Sequence, residues 1–207
     1  MRTLLLPILT VSLAMIGGAA MAVEEPKFEI RLRDGAFEIR DYPALTAAEV
    51  VVSGSRDQAS NDGFRLLAGY IFGGNTRRQS IAMTAPVVQA PRAGQSIAMT
   101  APVVQTGGPG GWTVRFIMPS AYSLATLPTP NDRRVRLVTL PAARLAVIRF
   151  SGLARPEDVT KKTAELNASI AAHRLRAIGP ASLARYDPPW TPWFMRRNEV
   201  TIPISGQ

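Results

Sequence analysis

The chain has 207 residues, of which 46% are hydrophobic and 19% are charged, with a formal net charge of +9 and no cysteine. The lack of cysteine excludes disulfides, a thiolate nucleophile and cysteine-ligated zinc or iron–sulfur centres. The basic surface favours anionic partners. The basic residues are nevertheless scattered over predicted strands instead of forming a stripe with interleaved aromatics, which disfavours a nucleic-acid partner.

Residues 1–22 have the pattern of a secretory signal peptide. Arg2 provides the positive start, residues 4–16 are mainly apolar, and Ala20-Met21-Ala22 forms a small-residue cleavage site. The apolar run is short for a membrane span, so membrane contact is expected only through an uncleaved signal. The sequence predicts a protein exported to the periplasm or secreted after cleavage near Ala22, with residues 23–207 forming one domain.

The first elements of this domain carry strong local signals. Asp34-Gly35, between alternating segments at residues 27–33 and 36–41, predicts a β-hairpin. A strand follows at residues 45–52, and Ser55 and Gln58 have the spacing of a capping box for a helix that ends before Gly73. The apolar stripe of this helix, which must face a sheet or a cavity, consists of Phe64, Leu67, Ala68 and Ile71.

Eleven residues at 79–89 are repeated without a change at 95–105. Each copy has the length of a strand, and residues 90–94 are predicted as the hairpin loop between them. Alternation places Met83 and Met99 on the same face. Because Pro86 and Pro102 cannot donate to a sheet, each copy is expected at a sheet edge or at a break in pairing, which suits the rim of a pocket. A duplicated structural hairpin is the simpler interpretation.

A fainter repeat relates two larger parts of the chain at a constant offset of 98 residues: Tyr42-Pro43-Ala44 matches Leu140-Pro141-Ala142. In both places a strand, a Ser-Gly pair and a helical pattern follow. The second helix is predicted from Pro156 to Gly179, with strands at 112–118, 134–139, 144–150 and 199–204. This organisation predicts an α+β fold with two-fold pseudosymmetry, in which two βαββ-type halves at about residues 23–127 and 128–207 form a curved sheet with two packed helices.

Several segments in fixed order resemble the SOUL family of haem-binding proteins. They are residues 70–75 (YIFGGN), the two IAMTAPV runs, 112–119 (WTVRFIMP), 127–132 (LPTPND), 146–152 (AVIRFSG) and 186–200 (YDPPWTPWFMRRNEV). The resemblance spans nearly all of residues 23–207. It implies a distorted β-barrel related to the gyrase-inhibitor-like fold. It also implies a carrier or buffer that binds b-type haem non-covalently, or another porphyrin, in an apolar groove beside the first helix.

The same resemblance assigns residues to the groove. The stripe of the first helix gives its floor, and Met83 and Met99 give candidate walls or soft iron ligands, together with Met118. His173 is the sole histidine and a possible axial ligand, although its place on the core-facing line of the second helix also suits a packed side chain. Cations for the haem propionates are offered by Arg65, Arg77, Arg78, Arg196 and Arg197.

Two other functions stay open from the sequence. A small-molecule or protein-interaction module could keep the fold without binding haem. No G-x-S-x-G or H-E-x-x-H motif is present, and no catalytic residue is predicted. A pocket hydrolase would need a lone general acid/base, for which Glu49 or Glu199 beside Tyr70, Tyr186 or Trp193 is the candidate, with ordinary placement on a strand face as the simpler interpretation.

Overall fold

The computed structural model describes residues 23–91, 111–188 and 190–205. Within them it contains ten strands, two α-helices and a single 3₁₀ turn at Trp193–Met195. The helices are α1 (Arg56–Ile71) and α2 (Pro156–Ala172). The strands are β1 (Glu29–Asp34), β2 (Phe37–Tyr42), β3 (Leu45–Val52), β4 (Val87–Pro91), β5 (Trp112–Ile117), β6 (Arg136–Leu140), β7 (Ala143–Ser151), β8 (Arg176–Ala177), β9 (Ser182–Arg185) and β10 (Arg197–Ser205).

The strands form one curled antiparallel sheet in the order β1-β2-β7-β10-β9-β4-β5-β3-β6, with β8 paired to the far end of β10. Strand β3 precedes α1 and lies between β5 and β6, whereas β7 precedes α2 and lies between β10 and β2. The two groups of strands join where β4 pairs with β9. The α+β class predicted from the sequence, a curved sheet with two helices, is confirmed.

Both helices pack on one face of this sheet. Helix α1 buries Leu67 and Ile71 against strand residues such as Val114, and α2 buries Leu166 and Ile170 in a second cluster. Gln89 lies directly opposite Leu183 in the pairing of β4 with β9, and Leu183 belongs to the α2 cluster, so the Gln89 side chain is on this same face. In the described part of the chain, no helix is long and apolar enough to cross a membrane.

The start of α1 is as the sequence predicts. Ser55 Oγ accepts a hydrogen bond from the Gln58 backbone N at 3.3 Å, and Gln58 Oε1 accepts from the Ser55 backbone N at 3.2 Å. Gly63 lies on the side of α1 that faces the sheet, where an added Cβ atom would be 2.6 Å from Cγ2 of Val114. Glycine at this position therefore allows α1 to approach β5 closely. The helix ends at Ile71 with Phe72 as its C-cap, and Gly73 follows with φ of +107°.

The second helix ends earlier than the sequence predicts. Helix α2 stops at Ala172 and is capped by His173, not by Gly179. The physical reason is the competing strand β8, since Arg176 and Ala177 pair with Ser205 and Ile204 of β10. Backbone groups used in the sheet cannot continue the helical hydrogen bonds.

The prediction for the repeated segment is only partly right. Of the first copy, residues from Val87 onward form a strand, and this strand includes Ala90 and Pro91, so a loop beginning at residue 90 is wrong. Strand β4 lies inside the sheet between β5 and β9 instead of at an edge. Regular pairing does begin only after Pro86, as expected for a residue without an N–H. The second copy, with Met99 and Pro102, lies outside the described residues.

Candidate functional site

Helix α1 divides its predicted apolar stripe between the core and the surface. Leu67 and Ile71 are fully buried against the sheet, whereas Phe64 is 39% exposed and Ala68 is half-buried. Phe72, which the sequence analysis did not select, is 66% exposed one turn beyond Ala68. We call Phe64, Ala68 and Phe72 the α1 apolar line. It combines the accessible part of the predicted floor, Phe64 and Ala68, with Phe72.

The surroundings of this line are also apolar. The Phe64 ring meets the buried Phe116 ring edge-on, with 5.3 Å between centroids. Beside the end of the helix, the backbone N of Ile81 donates to the Ile71 carbonyl at 2.7 Å. Met83 follows two residues later and is half-buried against the α1 cluster. Of the predicted methionines, Met83 thus packs against the buried cluster beneath α1, and Met118 is buried in the same cluster.

A second exposed apolar surface lies in the connection between β9 and β10. Trp190 is 82% exposed, Trp193 and Phe194 are each 60% exposed, and Met195 is 63% exposed. We call these four residues the aromatic loop. Neighbouring large apolar side chains with so much exposed area indicate a candidate interaction surface. The sequence signal was a run of tryptophan, phenylalanine and methionine among prolines.

The strand register relates the aromatic loop to α1. Strand β9 ends at Arg185, which lies opposite Val87 at the start of β4. Val87 in turn lies opposite Phe116, the residue on which Phe64 packs. The chain therefore leaves β9 and enters the loop at the end of the sheet where the α1 apolar line lies.

The predicted propionate-binding arginines are divided between these two regions. Arg65 lies on α1 with its side chain 79% exposed and contacts Asp62, and Arg77 donates to the Thr126 carbonyl at 3.2 Å. Arg78 is exposed just beyond the helix. Beside the aromatic loop, Arg196 donates to the Thr191 carbonyl.

The last of the predicted arginines, Arg197, is held in place by several contacts. It pairs with Glu25 and stacks over the Tyr186 ring at 3.5 Å. Arg197, the first residue of β10, is therefore held by Tyr186, which follows β9, and by Glu25 in the amino-terminal segment.

The structure places His173 away from α1. Its ring stacks on Phe37 with 4.9 Å between centroids, and Nδ1 lies 2.8 Å from the Ser169 carbonyl. Nε2 faces Asp34 at 3.8 Å in the β1–β2 hairpin. In the described residues, no group of three or more His, Cys, Asp or Glu could hold a metal ion. The surface beside α1 thus contains exposed apolar side chains and cations, but His173 is not beside it.

A cationic group that the sequence analysis missed lies at the first turns of α1. Arg185 donates from Nη1 to Ser60 Oγ at 2.7 Å across 125 residues of chain. Arg56 begins α1, and its guanidinium carbon lies 4.9 Å from the centroid of the Trp112 ring. Beneath it, Gln89 Nε2 donates to the Arg56 carbonyl at 2.8 Å. No local pattern could have revealed this group, because β9 and α1 meet only in the folded sheet.

Both carboxylates considered for catalysis are held in ion pairs on the other face of the sheet. Glu199 is 2% exposed and accepts hydrogen bonds from Arg40 and, at 2.7 Å, from the Tyr186 hydroxyl. Glu49 accepts from Arg115 at 2.9 Å and from Arg136 at 2.7 Å. In each carboxylate both oxygens are thus occupied by guanidinium donors. This arrangement favours structural roles for Glu49 and Glu199.

Comparison with known proteins shows the family and the fold. The model of the SOUL heme-binding protein family matches residues 23–203. Heme-binding protein 1 of Xenopus laevis is 28% identical over 170 residues, covering 81% of this chain and 84% of the relative, and the Xenopus tropicalis protein matches equally. A hydrolase from Listeria innocua, 14% identical with a TM-score of 0.53, covers 84% of this chain and 94% of its own and shows a shared fold.

The match extends over both helices and nearly the whole sheet, including α1 and the aromatic loop. The chain therefore belongs to the SOUL heme-binding protein family.

Proposed function

We propose that this protein binds haem or a related tetrapyrrole on the surface formed by the α1 apolar line and the aromatic loop. The observation that carries the proposal is the exposure of six large apolar side chains on these two surfaces in a member of this family, namely Phe64, Phe72, Trp190, Trp193, Phe194 and Met195. The relatives named heme-binding protein 1 support the ligand class. The role is binding rather than catalysis, since the two candidate carboxylates are engaged in ion pairs.

The chemistry of a porphyrin fits this surface. Its two faces are apolar and flat, so phenylalanine and tryptophan rings can cover them by dispersion and stacking. Burial contributes roughly 25 cal/mol for each Å² of apolar area removed from water. Because His173 lies elsewhere, binding rests on apolar contact and on pairing of the propionates with cations. We therefore expect metal-free porphyrins to bind with an affinity similar to that of haem.

A hemin titration, followed by Soret absorbance and tryptophan quenching, tests the proposed surface. Phe72→Ser and Trp193→Ser each remove a ring that is exposed in the free protein and that the bound porphyrin would cover. Each variant is expected to bind hemin about tenfold more weakly, since it loses this aromatic contact. Ile178→Ser is the matched control, because Ile178 is 61% exposed in the α2 half. Equal affinities for all three variants would contradict the proposed surface, and no saturable binding to the parent protein would contradict tetrapyrrole binding.

The position of His173 leads to a separate spectroscopic test. If iron ligation does not involve this histidine, His173→Ala binds hemin with the same Soret maximum as the parent protein. A shifted maximum in this variant, with the free protein still folded, would show that His173 is an axial ligand.

We also propose that the protein acts outside the cytoplasm, as a carrier or buffer, after removal of residues 1–22. The support is the signal-peptide pattern around Arg2 and Ala20-Met21-Ala22. Intact-mass measurement of the protein recovered from the periplasm or medium is expected to give a chain that begins at Val23. Recovery of the full-length chain from the cytoplasm would contradict this.

A further inference from the structure

The two guanidinium groups at the first turns of α1 have little negative charge around them. The carboxylate that faces Arg185 belongs to Asp57, whose Oδ1 lies 4.0 Å from Nη2 and whose side chain is 66% exposed. Among the described residues, the Arg56 guanidinium contacts the Trp112 ring but makes no hydrogen bond or ion pair. Burying a cation without a matched anion is unfavourable, so an anion that reaches both groups would be bound favourably.

The protonation equilibria reflect the same imbalance. Burial lowers the pKa of Arg185, and the charge of Asp57 opposes this only in part. Burial also lowers the pKa of Arg56, the nearby charge of Arg185 lowers it further, and the charge of Asp57 opposes these two effects only in part. Both groups remain charged at neutral pH because arginine ordinarily titrates above about 12. They form a partly desolvated pair of like charges.

The pair lies at one end of the α1 apolar line. Arg56, Ser60, Phe64, Ala68 and Phe72 follow one another at intervals of four residues, so each lies one helical turn from the next. Arg185 is bound to Ser60, the position one turn before Phe64. The amino terminus of the helix also carries the positive end of its dipole. Along α1 an anion-binding end is thus continuous with an apolar surface.

We propose that Arg185 and Arg56 bind a propionate carboxylate of the tetrapyrrole whose ring lies on the α1 apolar line. This assignment rests on the function proposed above and adds two residues to the five arginines predicted from the sequence. A carboxylate matches the planar fork of a guanidinium, which can donate two parallel hydrogen bonds. The apolar line selects a carboxylate that is attached to a flat apolar body over a free anion.

The test compares hemin with hemin dimethyl ester, which keeps the ring and lacks both propionate charges. The parent protein is expected to bind hemin about tenfold more tightly than the ester, as typical for one or more charged hydrogen bonds. In Arg185→Gln and in Arg56→Gln this preference falls severalfold while ester affinity is unchanged. Arg176→Gln, a change of the same charge at an exposed position in β8, is expected to keep the full preference.

Each alternative result has a distinct meaning. If hemin binds and both variants keep the parent's preference, the propionate assignment is wrong and the proposed function survives. If neither hemin nor its ester binds the parent protein, the proposed function and the assignment both fail. If Arg185→Gln does not fold, Arg185→Lys replaces it in the test. This variant keeps the positive charge but loses the planar guanidinium, so its preference for hemin over the ester is expected to lie between those of the parent protein and a variant without the charge.

Inorganic phosphate distinguishes a free anion from a propionate. It should weaken hemin binding to the parent protein and leave ester binding unchanged. The opposing result is that phosphate raises the melting temperature of the parent protein but not of Arg185→Gln, with no preference for hemin over its ester. In that case the site binds free anions and the propionate assignment is overturned.

Discussion

Arg40 and Glu199, separated by 159 residues in the chain, form a buried bidentate ion pair. Arg40 Nη1 lies 2.8 Å from Glu199 Oε2, and Nη2 lies 3.1 Å from Oε1. Although burial lowers the pKa of Arg40, its hydrogen bonds to Glu199 and Tyr42 hold that pKa above the ordinary value. The pair links β2 to β10 across β7 on the face of the sheet opposite the helices.

Removing the cation of this pair should be costly. Arg40→Met leaves Glu199 buried without its counter-ion, and the free energy of unfolding is expected to fall by about 3 to 5 kcal/mol. The double variant Arg40→Met/Glu199→Met should lose less than the sum of the two single variants. Urea unfolding measures all three. Arg134→Met, which breaks an exposed pair with Asp132, is the control and should cost less than about 1 kcal/mol. Additive losses would show that the two groups are not coupled.

The two glycines within the last three turns of α1 should respond in opposite ways to the same substitution. Gly63→Ala places a methyl group 2.6 Å from Val114 Cγ2, so α1 must shift from the sheet and the protein is destabilised. Gly69→Ala meets nothing within 4 Å and should stabilise by up to about 1 kcal/mol through helix propensity. Thermal and urea unfolding measure both. A gain in stability from Gly63→Ala would mean that the approach of α1 to β5 is not as close as described.

Asn75 organises the chain that leads from α1 to the Met83 region. It is fully buried, its Nδ2 donates to the carbonyls of Tyr70 and Gln79, and its Oδ1 accepts from two backbone N–H groups. Asn75→Asp has the same size but cannot donate, and it buries a charge, so a loss of about 3 kcal/mol is expected. Urea unfolding measures it beside Asn167→Asp, an exposed change on α2 that should cost little. Equal effects would contradict the role of Asn75.

Asp41 should make stability depend on acid pH. Hydrogen bonds from Arg144 and Arg31 hold the pKa of Asp41 well below its usual range. Its unfolded value is about 3.9, so its stabilising contribution is present above that pH and is lost as pH falls through the lower folded value. Asp41→Asn should therefore lower the melting temperature at pH 7, with the difference from the parent shrinking below about pH 4. Asp62→Asn on the exposed face of α1 should change little at either pH. A difference that stays constant with pH would contradict this.

The elements that the sequence predicted well depend on near neighbours. The hairpin at Asp34-Gly35 needs only a glycine with positive φ, and Gly35 has φ of +58° between β1 and β2. The amino terminus of α1 depends on Ser55 and Gln58, three residues apart. Such signals act within a few residues, so they can be read without knowing the rest of the fold.

The features that the sequence did not reveal depend on distant contacts. Phe64 and Leu67 belong to one apolar stripe, but only the packing of Gly63 on Val114 decides that Leu67 is buried and Phe64 remains accessible. Likewise, the interior position of β4 depends on its pairing with β9, far along the chain. The contact of Arg185 with Ser60 follows from the same pairing. Hydrophobic periodicity contains no information about such partners.

The pairing of β2 with β7 and of β3 with β6 joins early and late parts of the chain, and this has a consequence for how the molecule folds. Strand β2, early in the chain, completes its hydrogen bonds only when β7 has been made, and β3 needs β6 in the same way. Each pairing closes a long loop, whose entropic cost must be met before the contacts stabilise it. During synthesis the first helix and its strands therefore emerge with open edges. Because β10 lies between β7 and β9 inside the sheet, the sheet closes only after the last strand has been synthesised, and the fold is completed after synthesis instead of during it.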